Sequence, residues 1–212
     1  MDSDERPLPG GTFSTWLAGI AAVLEAGGDM DVPCGDCTAC CRSSQFVHVE
    51  RDETATLSQI PEELLFPAPG EPRGNWLMGY NEQGHCPMLV ENRCSIYADR
   101  PRACRSYDCR IFAATGVDNV QGPLIARQAA RWRFDLDDDQ DRLLQGAVQA
   151  ATDFLGRHPE CFAGGSPSHT QTALLAIKAH GIFTPQTHRD DPNRAPDDAE
   201  LAQAVAAIQH KP

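Results

Sequence analysis

The chain has 212 residues, 41% of them hydrophobic, and a formal net charge of −12, which suits one domain with a real core rather than a small disulfide-stapled fold. The acidic balance argues against binding to nucleic acid or to an anionic membrane surface. No apolar run approaches the roughly 20 residues of a transmembrane helix, and the start Met1-Asp2-Ser3-Asp4-Glu5 is acidic where a secretory signal is basic, so we expect a cytoplasmic protein.

The N-terminal part predicts a flexible tail followed by one helix. Residues 1–11 contain two prolines and a Gly-Gly pair, which is typical of a loose tail. Apolar residues then recur on one face from Thr12 or Ser14 to about Ala26, and Gly27-Gly28 ends the pattern. We therefore expect a helix between these limits.

The middle of the chain predicts short elements rather than long ones. Residues 86–97 indicate a β-hairpin with a cysteine near each open end, because Glu91-Asn92-Arg93 supplies the turn. The other elements predicted here are strands at 46–49 and 76–80, a short helix from Asp52, a helical restart at 61–63, a loop at 67–74 and a helical turn that carries Cys104.

The C-terminal part predicts helices. The acids between Asp135 and Asp141 alternate like the start of a calcium loop, but Gln140 and Gly146 stand where that loop needs Gly and Glu. Acids also suit the first turn of a helix, which is the better interpretation. The predicted helices start near Pro123 and carry Trp132, run from 135–141 to about Leu155, span 170–182, and occupy 197–208.

These elements predict a mainly α protein with a small cysteine-rich α+β metal lobe. Helices from both ends of the chain are expected to pack around that lobe. The predicted domain spans residues 12–184, with a cysteine module at 30–112 and a helical part at 113–184. Residues 185–212 form an acidic, proline-rich tail with a terminal helix.

Cysteine spacing is the strongest functional signal in the chain. Eight of the nine cysteines fall within one segment, which opens with the pattern C-x2-C-x2-C-C. Thiolates at this spacing can turn toward one point and hold a soft metal or an iron–sulfur cluster. In a cytoplasmic protein such clusters indicate metal chemistry more often than disulfides. The predicted metal ligands are Cys34, Cys37, Cys40, Cys41, Cys86, Cys94, Cys104 and Cys109.

The arrangement of the ligands is open at the level of sequence. If Cys37, Cys40 and Cys41 occupy the first turns of a helix, offsets of three and four residues place them on one face of that helix. Eight sulfurs then allow two four-thiolate sites, one cluster with spare thiols, or a binuclear site with bridging sulfurs. The ninth cysteine, Cys161, stands alone and predicts a small packed thiol.

The identity of the metal is also open. C-x2-C-x2-C begins the ligand pattern of bacterial ferredoxins, although Ser44 occupies the place of their fourth cysteine. Four-cysteine zinc sites tend to use two C-x2-C pairs, and the second half of this pattern has none. The spacing slightly favours an iron–sulfur cluster over zinc.

Basic residues are concentrated beside the later cysteines. The chain has sixteen arginines and two lysines, and five of the arginines lie within 93–110. A four-thiolate site carries about two net negative charges, which guanidinium groups can offset. We predict that Arg100, Arg102 and Arg105 contact the cofactor in this way; a solvated arginine surface is the alternative.

Three motifs together resemble a known bacterial family. They read C-G-x-C-x-x-C-C, then G-x-C-P-x-L, then C-x-I-Y-x-x-R-P-x-x-C-R-x-Y-x-C. This pattern resembles the CxxCxxCC cysteine-cluster family, which is described as zinc- or iron-chelating and shares its module with flagellin lysine N-methylases. The resemblance implies metal chelation by the eight cysteines. The matching residues are Cys34, Gly35, Cys37, Cys40, Cys41, Gly84, Cys86, Leu89, Cys94, Ile96, Tyr97, Arg100, Pro101, Cys104, Arg105, Tyr107 and Cys109.

The sequence also allows two functions other than that of a metal-binding module. None of these functions identifies a protein partner. The first is an enzyme, methyltransferase- or oxidoreductase-like, that uses the cluster; no catalytic residue and no glycine-rich cofactor loop is assigned. The second is a thiol redox switch or metal-trafficking protein, with reversible oxidation of Cys40 or Cys41. Cys34-Gly-Asp-Cys37 alone could be a thioredoxin-type pair, but the βαβ context is missing. Candidate pocket residues for the enzyme are His48, His85, Tyr97, Arg100 and Tyr107.

Overall fold

Helices dominate the structure, with short strands between them. The structure is a computed structural model that describes residues 6–30, 32–117, 122–162, 167–184 and 197–209. The predicted mainly α class with some β structure is confirmed. Within the described ranges, no helix combines the length and the apolar character that crossing a membrane requires.

The elements are numbered in chain order. The helices are α1 Phe13–Ala26, α2 Thr54–Gln59, α3 Arg102–Ser106, α4 Arg110–Thr115, α5 Pro123–Ala129, α6 Asp139–Arg157, α7 His169–Ala179 and α8 Asp198–Gln209. The strands are β1 Leu8–Thr12, β2 Val47–Val49, β3 Leu65–Pro67, β4 Trp76–Met78, β5 Leu89–Val90, β6 Arg93–Cys94 and β7 Trp132–Asp135. Short 3₁₀ turns connect several of them, including one at Cys40–Arg42.

The chain folds into two compact units that are not contiguous in sequence. The first, here the helical unit, comprises Met1–Leu24, Cys109–Val120 and Ala129–Pro212. The second, here the cysteine unit, comprises Glu25–Asp108 and Gln121–Gln128. Described residues from the N-terminal and C-terminal parts of the chain thus contribute to the helical unit, whereas seven of the eight clustered cysteines lie in the cysteine unit.

A parallel strand pair joins distant parts of the chain within the helical unit. Strand β1 runs beside β7, with Leu8 opposite Trp132 and Thr12 opposite Asp135. The backbones approach closely at Gly10, where a Cβ atom would lie 2.9 Å from the carbonyl oxygen of Arg133. Only glycine fits this position without a shift of the backbone.

The helix α1 is fastened to α6 by a buried carboxylate. Asp141 is 1% exposed, and its side chain accepts hydrogen bonds from the backbone N–H groups of Ser14 at 2.8 Å and Asp137 at 3.0 Å. Asp138 caps α6 by accepting from the N–H of Asp141. The acids of 135–141 therefore serve a helix start, as predicted, rather than a calcium loop.

The core of the helical unit is packed from α6, α7 and α8. Its buried members are Ala151, Phe154, Leu155, Cys161, Leu175, Ala176, Ala179 and Val205. A capping box starts α7, in which Ser168 and Gln171 satisfy each other's backbone N–H groups. Cys161 is 5% exposed within this core, which agrees with the predicted packed thiol.

The cysteine unit is built on a small antiparallel sheet in the order β2-β4-β3. Alternate residues of these strands face one core, which contains Val49, Ile60, Met78, Met88 and Ile96. Cys86 and Cys94 pack against the same core. These two cysteines are therefore anchored to a buried apolar cluster of the cysteine unit.

The predicted hairpin is present beside the sheet. Strands β5 and β6 pair with Leu89 opposite Cys94 and Val90 opposite Arg93. The turn consists of Glu91 and Asn92, both with positive φ angles of 48° and 62°, as a type I′ turn requires. The two-residue turn is one residue shorter than predicted.

Several local predictions differ from the structure. Residues 8–11 of the predicted tail belong to β1, while residues 1–5 lie outside the described residues. Trp132 belongs to β7 and not to the helix near Pro123, which ends at Ala129. The helix predicted at 170–182 ends at Ala179 and continues as a 3₁₀ turn. Of the predicted C-terminal tail, only the residues from 197 to 209 are described, and they form α8 as expected.

Candidate metal centre

The first cysteine run forms two tight turns and not the start of a helix. The N–H of Cys37 donates to the carbonyl oxygen of Cys34 at 3.0 Å, and Gly35 between them has a φ of 54°. Cys40 and Cys41 open a single 3₁₀ turn that ends at Arg42. The condition under which Cys37, Cys40 and Cys41 would share one helix face is therefore not met, because a Gly-containing turn and a short 3₁₀ turn occupy this segment.

Backbone hydrogen bonds connect this run to the second cysteine segment. The N–H of Cys86 donates to the carbonyl oxygen of Cys41 at 2.7 Å, and the N–H of Ser44 donates to that of Gly84 at 2.9 Å. Gly84 has a φ of 75°, and a Cβ atom there would lie 2.3 Å from Oγ of Ser44. Glycine at this position thus allows the segment around Cys41 and the segment around Cys86 to come together.

Arg42 clamps the same two segments through its side chain. Its guanidinium group donates to Oγ1 of Thr38 at 3.1 Å and to Oδ1 of Asn92 at 2.8 Å, and it lies 3.4 Å from Nε2 of His85. Its charge also lowers the pKa of Cys41. Sequence analysis missed this residue, because its partners are dispersed along the chain; its position beside Cys41 was the only available signal.

The sulfur of Cys86 receives backbone N–H groups. Met88 and Leu89 donate to it, which lowers the pKa of the thiol, although burial raises that pKa more strongly and the net shift is upward. Cys94 follows in β6, at the far side of the hairpin turn. Amide donors to sulfur are what a metal-bound thiolate needs around it.

Four thiols interact electrostatically in every pairwise combination. The pKa of Cys41 rises to about 11 through burial and then through the charges of Cys86, Cys94 and Cys37. The pKa of Cys104 rises to about 12 through burial and then through Cys86, Cys41 and Cys94. Cys94 also raises the pKa of Cys86. We call Cys41, Cys86, Cys94 and Cys104 the four-thiol set.

In the described part of the structure, the four thiols do not surround a single point. Cys104 is exposed as a residue, and the protein around its sulfur raises the pKa of the thiol. Within the described ranges, no group of three or more His, Cys, Asp and Glu side chains is arranged to hold a metal ion as it stands. The donor chemistry fits a soft metal, because thiols surrounded by thiols and amide N–H groups are its preferred ligands.

A carboxylate network positions the helix that carries Cys104. Glu53 is 7% exposed, and its side chain accepts from the backbone N–H of Arg102 at the start of α3 and from that of Glu50 at 2.9 Å. The side chain of Arg102 contacts Glu50 and Asp52. This network fastens α3 to the segment that follows β2.

The three arginines predicted as cofactor contacts lie in different surroundings. Arg100 lowers the pKa of Cys104 and stacks over the ring of Tyr97 at 4.2 Å. Arg105 pairs with Asp29 at 2.8 Å and lies 3.9 Å from Glu53. The structure thus brings Arg100 toward the four-thiol set, while Arg102 and Arg105 contact carboxylates.

The remaining predicted ligands differ from the four-thiol set. Cys34 and Cys40 are exposed, and the charge of Cys37 is among the causes that raise the pKa of Cys41. Cys109 belongs to the helical unit, where it is 6% exposed and its sulfur accepts the indole N–H of Trp132 at 3.2 Å.

Three of the candidate pocket residues lie in different surroundings. Tyr97 is 61% exposed and His85 contacts Arg42. His48 lies in β2, and its Nε2 atom is buried without a hydrogen-bond partner among the described residues. Sequence analysis named His48 as a pocket candidate but gave no signal for this unpaired nitrogen.

Comparison with known proteins agrees with the chemistry of the site. Residues 33–123 match the CxxCxxCC family, described as a putative zinc- or iron-chelating domain. No curated protein and no solved structure matches the chain. The matched segment is less than half of the chain, yet it contains all eight clustered cysteines. The resemblance predicted from the three motifs is thereby confirmed over residues 33–123.

Proposed function

We propose that the cysteine unit binds a metal ion or an iron–sulfur cluster through Cys41, Cys86, Cys94 and Cys104. The observation that carries this proposal is the meeting of the cysteine segments: the N–H of Cys86 donates to the carbonyl oxygen of Cys41 at 2.7 Å, and Cys86 and Cys94 pack against one core. Neighbouring thiols also raise the pKa values of Cys41 and Cys104. Four thiols held together by the fold repel one another when they ionise, and a bound cation removes that repulsion. The match to a zinc- or iron-chelating family supports the same conclusion.

The proposed ligand set is smaller than the eight cysteines of the sequence prediction. Each of the four comes from its own element: the 3₁₀ turn, the loop before β5, strand β6 and helix α3. Cys34, Cys37 and Cys40 precede this set in the chain, and Cys109 lies in the helical unit. We therefore propose one four-thiolate centre rather than two.

We favour an iron–sulfur cluster over zinc at this centre. The four proposed ligands include no C-x2-C pair, which structural zinc sites ordinarily use. Either metal type leaves about two net negative charges on four thiolates. Arg42 and Arg100, which already lower the pKa values of Cys41 and Cys104, are placed to offset that charge.

We also propose that the protein is cytoplasmic. It is proposed to bind neither nucleic acid nor membranes. All nine cysteines are free thiols, which suits a reducing compartment. The net charge of −12 opposes association with polyanions.

Anaerobic purification followed by elemental analysis and a visible spectrum tests the proposal. We expect iron and acid-labile sulfide in similar amounts, with the broad visible absorption of a cluster. A colourless protein with zinc would keep the four-thiolate centre and reject the preferred metal. A protein without iron or zinc would reject the function itself.

A further inference from the structure

The imidazole ring of His158 connects the end of α6 to the start of α8. Its Nδ1 atom lies 2.8 Å from Oε1 of Glu160, and its Nε2 atom lies 3.2 Å from Oδ2 of Asp198. Both ring nitrogens therefore face carboxylate oxygens, which only accept hydrogen bonds when they are ionised. His158 directly follows the last residue of α6, whereas Asp198 is the first residue of α8.

Packing holds the ring of His158 in this position. The ring stacks on that of Phe154 with a centroid separation of 4.2 Å and an interplanar angle of 23°, and the side chain is 17% exposed. Phe154 belongs to the buried core that also contains Val205 of α8. A side chain fixed by packing keeps the direction of its polar atoms. The two ring nitrogens are therefore aimed at the two carboxylates by the core itself.

Only one protonation state of the ring satisfies both contacts. A neutral imidazole has one N–H donor and one acceptor nitrogen, whereas the imidazolium has two donors. With a neutral ring, one nitrogen would turn its lone pair toward a carboxylate oxygen. The imidazolium instead donates to both carboxylates, and both hydrogen bonds are then charge-assisted. The arrangement is therefore complete only when the ring is protonated.

The other charged groups around His158 have contacts of their own. Nη1 of Arg157 lies 3.6 Å from Oδ2 of Asp198. His180, in the 3₁₀ turn that packs against α6, donates from Nδ1 to the carbonyl oxygen of Ile177 at 2.6 Å. Among the described residues, the titratable or charged groups near the adjoining ends of these elements are Asp153, Arg157, Glu160, Cys161, Lys178, His180, Asp197, Asp198 and Glu200.

We propose that His158 is a proton-dependent latch that holds the start of α8 against the end of α6. The protonated ring donates to Glu160 and Asp198 at the same time. When the ring loses its proton, one of these two hydrogen bonds is lost and the first turn of α8 loosens. The inference goes beyond the proposed metal binding and is independent of it, because all of these residues belong to the helical unit.

The latch has a defined pH window. The hydrogen bond from His158 lowers the pKa of Glu160, so the contribution of this carboxylate is present above the ordinary pKa of Glu and is lost as pH falls through the lowered value. The contribution of the imidazolium is present at low pH and is lost as pH rises through the range in which a histidine deprotonates. The latch should therefore be strongest at about pH 5 to 6 and weak by about pH 8.

Amide hydrogen exchange of the full-length protein between about pH 4 and pH 8 tests the inference. After correction for the intrinsic exchange rates, we expect the protection of α8 relative to that of α7 to be highest near pH 5.5. It should fall about two- to fivefold by pH 8, which is the size expected for the loss of a solvent-accessible ion pair. Equal relative protection of α8 at pH 5.5 and at pH 8 would overturn the inference.

Single substitutions identify the group that titrates. His158→Gln is expected to remove the pH dependence, because a side-chain amide has no titratable proton in this range. Asp198→Asn should weaken the dependence while α6 and α7 keep their protection. The matched control is His169→Gln, an exposed histidine of the same unit, which should keep the wild-type profile. A wild-type profile in His158→Gln, or a lost pH dependence in His169→Gln, would contradict the proposal.

Discussion

The helical unit and the cysteine unit are stabilised in different ways. The helical unit has a helix of 19 residues, α6, packed against α7 in a core of fully buried apolar side chains. The cysteine unit has helices α2 and α3 of 6 and 5 residues, most of the 7-residue α5, and a small core against which two cysteines pack. Short helices are marginal in isolation. If the proposed function holds, side-chain networks and the proposed metal take over part of the role of apolar packing in the cysteine unit.

The largest expected effect is that of metal removal, which should destabilise the cysteine unit and leave the helical unit intact. Structural thiolate sites contribute on the order of 10 kcal/mol of apparent binding free energy. We expect the metal-free protein to lose amide hydrogen-exchange protection in β2, β4 and the β5–β6 hairpin, while α6 and α7 in the same samples keep theirs. Mass spectrometry of exchanged peptides measures both units at once. Equal protection of the cysteine unit with and without metal would refute its dependence on the site.

A cavity in the core of the helical unit should lower the stability of that unit without changing the metal content. Phe154 is 1% exposed and stacks on His158 with a centroid separation of 4.2 Å. Phe154→Ala should lower the free energy of unfolding of the helical unit by about 3–5 kcal/mol. Chemical denaturation measures this loss, and metal content should stay at the wild-type level.

The matched control for that cavity is Gln149→Ala, on the exposed side of the same helix. Its effect should remain within about 0.5 kcal/mol. If Phe154→Ala lost its metal as well as its stability, the two units would not differ in the proposed way.

Arg42 tests the network that connects the cysteine segments. Arg42→Gln removes the charge beside Cys41 and the hydrogen bonds to Thr38 and Asn92. Loss of such a contact around metal ligands typically weakens metal affinity about 10- to 100-fold. Competition with a chromophoric chelator measures the change. The control is Arg73→Gln, an exposed arginine of the same unit, and equal affinities of the two variants would contradict a role for Arg42.

Alkaline pH gives the smallest and most gradual effect. Burial and neighbouring thiols raise the pKa of Cys41 from 9.0 to about 11 and that of Cys104 to about 12. Their protonated forms therefore stabilise the folded metal-free protein below pH about 9, and this contribution is lost as pH rises toward 11 and 12. Urea unfolding across this range should show falling stability without metal and a flatter profile with metal. Parallel profiles would argue against ligation by these thiols.

The sequence predicts local features better than long-range ones. Helices α1 and α6 follow from apolar periodicity and capping residues, and the hairpin follows from its turn. The pairing of β1 with β7 was missed, because Pro9 and Gly10 resemble a tail and their partners at 132–135 lie over a hundred residues away. Parallel pairing between distant segments leaves no local pattern.

The candidate site shows the same limit. Cysteine spacing predicts metal binding and identifies eight candidates, but it does not divide them into sets. Cys41 joins Cys86 through contacts that Gly84 permits, and Cys104 is positioned by Glu53. These relations are tertiary, so the sequence alone could not suggest the four-thiolate centre that we propose.

The most direct test of the four-thiolate centre is the metal content of single cysteine variants after anaerobic purification. We expect Cys86→Ser to lose the metal, since Cys86 interacts with the three other members of the set. Cys161→Ser, which removes a thiol from the core of the helical unit, should retain the full amount. A folded Cys86→Ser protein with wild-type metal content would contradict the account.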